Sequence, residues 1–267
     1  LIIDDNPISR CYINILKEKK IKLKNVIYLS SNMRFFKKFF AKRNYLVKNF
    51  YPIQFLKDKE ILKTLEEIEI FFNFNLGFCK TMYNFDNIFD ITDRIIFANS
   101  SSINSPNVLK LLDQFNETIF FNTGKQILKE VLNSKHKFIH IHPGYLPAVK
   151  GADGSLWQIK NFDFLGVSSF FMSKNIDEGK IISREKIKIP TFNLNNMNKY
   201  DVKKLYRIWF SFFDPLLRGY HFKKLVNQQF DFKSFNEKIE KNEEENYYSF
   251  MKTDDLKVVF QKIFINT

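Results

Sequence analysis

The chain has 267 residues, with 42 Lys and Arg against 29 Asp and Glu and a formal net charge of +13. That length suits one large α/β domain or two small ones, and an apolar share of 45% supplies a sizeable core. Two isolated cysteines, Cys11 and Cys79, exclude a disulfide framework and read as a reduced, cytoplasmic protein. No run approaches the roughly 20 apolar residues of a membrane span, and no signal peptide is visible. With 32 Phe and abundant Lys, Asn and Ile, the composition reads as a genomic bias. Lysine spread along the whole chain argues against nucleic acid as partner, because a binding footprint concentrates its charge.

In chain order, Leu1 to Asp4 predicts a first strand, and Asn6-Pro7 a turn. Residues 8 to 19 follow with helical spacing (Ile8, Cys11, Tyr12, Ile15, Leu16). Val26 to Leu29 predicts a second strand, giving the strand–helix–strand opening of a doubly wound fold. Residues 31 to 50 interleave Arg34, Lys37, Lys38, Lys42 and Arg43 with Phe35, Phe36, Phe39 and Phe40. This suits a helix with a buried Phe face and a solvated charged face, or else a phosphate- or membrane-facing surface. Residues 58 to 69 predict a charged helix, while 70 to 90 are rich in Phe and Asn and give no assignment.

Strands are expected at 94 to 98 and 118 to 122, with a helix at 107 to 115 between them. A short helix is expected from 125 to 133, then a strand at Phe138 to His142. Further on come a helix at 153 to 161, a strand at 166 to 173, a turn at Ile176 to Gly179 and a strand at 181 to 189 closed by Pro190. The remainder reads as helical, at 200 to 213 and 215 to 228. An acidic run, Glu237 to Glu245, leads into a mixed segment, Tyr247 to Phe264. The fold class is therefore α/β: a Rossmann-like, doubly wound, mostly parallel sheet over residues 1–192, with a mainly helical C-terminal extension over 193–267.

Three of the four histidines, His136, His140 and His142, lie within seven residues, and Gly144, Gly151, Gly154, Gly166 and Gly179 follow closely. Strand alternation puts His140 and His142 on one face. Two imidazoles there suit a metal site or a catalytic pair. A metal needs further ligands, yet the only distant histidine is His221, and neither HExxH nor a Cys cluster exists, so no metal is expected. As a catalytic pair, His142 has Asp177 as candidate partner. A carboxylate close to the ring keeps it protonated or moves protons through water. A protonated imidazole stabilises an oxyanion, and His140 is a second candidate donor.

His142-Pro143-Gly144-Tyr145-Leu146-Pro147, then Lys150-Gly151, Gly166-Val167-Ser168 and Ile176-Asp177-Glu178-Gly179, resemble the formyltransferase family. That family includes glycinamide ribonucleotide, methionyl-tRNA and amino-sugar formyltransferases. The resemblance covers residues 94 to 190. It implies transfer of a formyl group from 10-formyltetrahydrofolate to a primary amine, with His142 and Asp177 as the family histidine and aspartate. His140 stands where the family has asparagine, and Gly144-Tyr145 replace the usual Ser-Leu. By the same resemblance Lys125, Gln126, Ile127 and Leu128, with Met172, Ser173, Asn175 and Ile176, lie beside the folate pterin. The implied acceptor is a small-molecule amine, such as an amino sugar nucleotide. The tail after Pro190, with 13 basic against 10 acidic residues, is too weakly charged for a strong RNA footprint. A formyltetrahydrofolate hydrolase and a non-catalytic folate-binding protein of the same fold are the alternatives. Neither the oligomeric state nor the acceptor is legible.

Overall fold

Short apolar runs between helices form the strands, and here they assemble one mixed sheet. The computed structural model describes residues 1–30, 37–116, 119–195, 199–227 and 244–265. β1 (Ile2–Ile3) leads into α1 (Pro7–Glu18), then β2 (Val26–Tyr28). α2 (Lys37–Lys48), α3 (Phe50–Phe55), α4 (Lys59–Phe71), α5 (Phe78–Met82) and α6 (Asn87–Asp90) precede β3 (Ile95–Phe97). α7 (Pro106–Leu112) leads to β4 (Ile119–Phe121), β5 (Lys137–His142) and β6 (Lys150–Gly151). Then come α8 (Gly154–Asn161), β7 (Phe164–Phe171), β8 (Ile181–Lys188) and β9 (Phe192–Asn193). α9 (Val202–Ile208), a π-helical turn at Trp209–Phe213, α10 (Asp214–Asn227), β10 (Tyr247–Tyr248), α11 (Thr253–Ile263) and β11 (Phe264–Ile265) complete the chain.

The strands β3-β2-β1 are parallel, and so are β4 and β5. A parallel bridge from Ile2 to Asn122 joins the two groups, so the order runs β3-β2-β1-β4-β5-β7-β8. β7 and β8 are antiparallel to their neighbours. The winding reverses between β1 and β4, and crevices form at such switch points outside the carboxyl ends of the strands. The expected doubly wound α/β fold is therefore observed.

α1 shows how local sequence aims an element at that crevice. Asn6 caps it by accepting from the Ser9 N–H at 3.0 Å, with Pro7 at the first helical position. The same Asn6 side chain donates to the Thr123 carbonyl at 2.8 Å, tying the start of α1 to the end of β4. Beneath this turn Asp5, at φ 50°, is fully buried and takes hydrogen bonds from both Arg10 and the Tyr28 hydroxyl. A buried charge needs such partners, because removing one strands the other at a cost of about 3–5 kcal/mol.

The segment after β9 shares the main core. Trp209 stacks on Phe213 at 3.7 Å and donates its indole N–H to Ser155 at 3.1 Å, and Phe222 stacks on Tyr12 at 4.2 Å. β11 pairs with β9, and β10 with β6.

Three local expectations are revised. The helix expected at 125–133 is reduced to a 3-10 turn at Glu130–Asn133. Side chains from the neighbouring loop take up the backbone groups a helix would use: Asn104 donates to the Ile127 carbonyl at 2.8 Å and accepts from the Lys129 N–H at 2.7 Å. The stretch 70–90 holds two short helices, α5 and α6. In α2 the buried-Phe reading fails at Phe39, which is 68% exposed, while Phe40 packs on the core. Arg34, Phe35, Phe36, Thr118 and most of the acidic run from Glu237 lie outside the described residues. Among the described residues, no helix is long and apolar enough to cross a membrane.

Candidate active site

The crevice at the switch point is a cavity of about 590 Å³. Its walls carry Pro7 and Ile8 from α1, Gly124 after β4, His140 and His142 from β5, and Asp177 from the turn before β8. Lys125, Gln126, Ile127 and Leu128 line it on one side, and Met172, Ser173, Asn175 and Ile176 on another. The residues singled out from sequence thus border one hollow.

His142 ends β5 and is buried. Its Nε2–H donates to the Val149 carbonyl at 2.9 Å, which leaves Nδ1 facing Asp177 Oδ2 at 3.4 Å. Two glycines make room for this ring. A Cβ at Gly144 would lie 2.8 Å from Nε2, and one at Gly154 2.9 Å from it. The loop between β5 and β6 is pinned from β7, where Ser168 Oγ donates to the Gly144 carbonyl at 2.8 Å and accepts from the Leu146 N–H at 3.0 Å. Asp177, at φ 55°, accepts from the Gly151 N–H at 2.8 Å. Asp tolerates this left-handed backbone better than most residues.

His140 lies on the same strand face, with both ring nitrogens engaged. A guanidinium can only donate, so Arg218 Nη1 donates to Nε2 at 3.0 Å. The proton therefore sits on Nδ1, which donates to the Asn122 carbonyl at 3.1 Å. His140 has no N–H free for an oxyanion, contrary to the expected donor role. Burial, then the Arg218 charge, lower its pKa to about 4. Burial also lowers the pKa of His142, against the opposing pull of Asp177. Both shifts favour the neutral rings, so of the two roles expected of Asp177, moving protons fits the resting site better than holding His142 protonated.

Stability should follow. Unfolded His140 takes up a proton near pH 6.5, whereas the folded ring resists until about pH 4. The stability present above pH 6.5 is lost as pH falls toward 4, by about 2 kcal/mol once contact with the cavity is allowed for. Chemical denaturation at stepped pH should show this slope, and His140→Asn should flatten it.

Sequence reasoning missed Arg218 and Asp214. Both lie in α10 and are buried, with Arg218 Nε donating to Asp214 Oδ2 at 2.9 Å. A charged pair four residues apart inside Phe212-Phe213-Asp214-Pro215-Leu216-Leu217-Arg218 was the available signal. Phe250 also reaches the cavity from the C-terminal segment. That segment is held by Lys150 to Glu245 at 2.6 Å and by the Met251 N–H to Asp153 at 2.8 Å. Among the described residues, no group of three or more His, Cys, Asp or Glu side chains is placed to hold a metal.

No family model and no curated protein sequence matches the chain. The solved structures it resembles include formyltransferases and HypX. A 4-N formyltransferase of Francisella tularensis matches at 18% identity over 93% of this chain and 74% of that one, with a TM-score of 0.47. Methionyl-tRNA formyltransferase of Clostridium thermocellum matches at 11% identity over 86% and 74%, with a TM-score of 0.42. A Mycobacterium tuberculosis protein described as a likely sugar N-formyltransferase matches at 18% identity over 60% and 65%, with a TM-score of 0.39. The chain thus spans just under two thirds of the last protein, and it spans 26% of HypX from Aquifex aeolicus. At TM-scores below 0.5 these likenesses decide nothing about chemistry, which rests on the cleft.

Proposed function

We propose that this protein is a formyltransferase moving a formyl group from 10-formyltetrahydrofolate to a primary amine of a small metabolite, such as an amino sugar nucleotide. The observation that carries this reading is a buried imidazole facing a carboxylate at 3.4 Å in a cavity of about 590 Å³ at the sheet's switch point. Ligand sites of drug-sized molecules have such volumes, with apolar walls and a few convergent polar groups. Ile127, Leu128, Phe170, Met172 and Ile176 offer the apolar wall a pterin needs.

In this reading the amine nitrogen attacks the formyl carbon. His142 Nδ1 and Asp177 Oδ2, both acceptors in the resting site, take up the proton the amine loses. The fixed Nε2–H bond to Val149 keeps the Nδ1 lone pair aimed at Asp177. Asp177 makes the buried ring a better base by stabilising its protonated form.

A screen of nucleotide-linked amino sugars and other amines with 10-formyltetrahydrofolate, followed by tetrahydrofolate release, tests the reading. Release that depends on one amine class is expected. Equal release without amine would transfer the site to a hydrolase. Donor binding without release in any mixture would leave a folate-binding protein.

A further inference from the structure

The imidazole and side-chain amide donors that line the cavity are each engaged. The single N–H of His142 goes to Val149 and that of His140 to Asn122. Gln126 Nε2 donates to the Ser101 carbonyl at 2.6 Å, and Asn175 Nδ2 to Glu178 at 2.7 Å. Arg218 differs. It is 8% exposed and lines the cavity. Nε is held by Asp214, and Nη1 by His140 Nε2 and the Ile141 carbonyl. Nη2 has no hydrogen-bond partner among the described residues. Three partners therefore fix the guanidinium plane while one edge stays unused.

We infer that Arg218 supplies the hydrogen bond that stabilises the oxyanion on the transferred formyl group, and that His140 is a positioning residue acting through it. This rests on the formyl-transfer reading above. As the amine nitrogen bonds to the formyl carbon, the C=O π electrons move onto oxygen. The Nη2–H donates to that oxygen. Collapse restores C=O and breaks the bond to N10 of the folate, and the proton lost by the amine ends on N10. Charge develops only in the transition state, where a preoriented cationic donor in a water-poor site is worth most. A guanidinium keeps its proton at any working pH, which a neutral His140 cannot match as a donor. His140 is then not a misplaced asparagine. Its Nε2 lone pair is the acceptor that holds Nη1.

The test compares wild type, Arg218→Ala and Arg218→Lys in formyl transfer, with donor affinity and thermal melting measured alongside. Arg218→Ala should lower kcat by about a hundredfold or more, the scale of one lost oxyanion donor, with donor affinity within about threefold. Added guanidinium ion should restore about tenfold of that loss, a readout that a purely structural ion pair would not give. If Arg218→Ala does not fold, Arg218→Lys decides: it keeps charge but not the fork, and should bind donor while losing kcat. Near-wild-type kcat in a folded variant overturns the inference. So does a loss without guanidinium rescue that is matched by weaker donor binding. Active wild type with active Arg218 variants removes this inference alone, whereas inactive wild type removes the formyl-transfer reading with it.

Discussion

Asp177→Asn should lower kcat for formyl transfer by at least about a hundredfold while leaving donor affinity within a few-fold, as expected for a positioned proton acceptor. Asparagine is the informative replacement. It tolerates the left-handed φ of 55° and keeps an oxygen for the Gly151 N–H, so the turn survives. What disappears is the negative charge facing His142 Nδ1. Without it, burial and the Arg218 charge are opposed only by the Val149 hydrogen bond and Asp214, and the imidazole becomes a poorer base. Steady-state kinetics at pH 7 with a melting curve check this. A kcat within threefold of wild type in a folded variant would remove Asp177 from the chemistry.

Gly179→Ala should be the most disruptive single methyl in the site. An added Cβ would lie 1.5 Å from the Phe171 carbonyl oxygen, and backbone cannot yield as a side-chain tip does. The segment from Met172 to Lys180 must then lift off the end of β7. The Phe171 N–H to Lys180 carbonyl bond at 2.9 Å would be lost, and Asp177 would move with the turn. Overpacking and one lost backbone bond together cost about 2–4 kcal/mol. Denaturant unfolding should show that loss, and transfer activity should fall to background even where the protein remains folded. Wild-type stability would contradict the observed packing of this turn.

The two effects share a cause that was partly legible in the sequence. Period-two placement of His140 and His142 is a local property of one strand, so it could be read directly. So could the alternation of strands and helices that fixes the switch point. The shape of Lys125 to Glu130 could not, because Asn104 and Gln126 override the helical period with side-chain bonds to backbone. The state of His140 was equally hidden. Its tautomer depends on Arg218, which is 78 residues further along and reaches the site only because α10 packs against α1 and β5. Distant partners of this kind leave only faint traces, here a charged pair in an apolar helix.

Incubating the wild-type protein with 10-formyltetrahydrofolate carrying a ¹³C formyl group and a panel of amino sugar nucleotides, then weighing the products by mass spectrometry, tests the formyl-transfer site most directly. The account predicts the label on an amine, with little label in formate. Label appearing only in formate, or no label leaving a donor that the folded protein fails to bind, would contradict it.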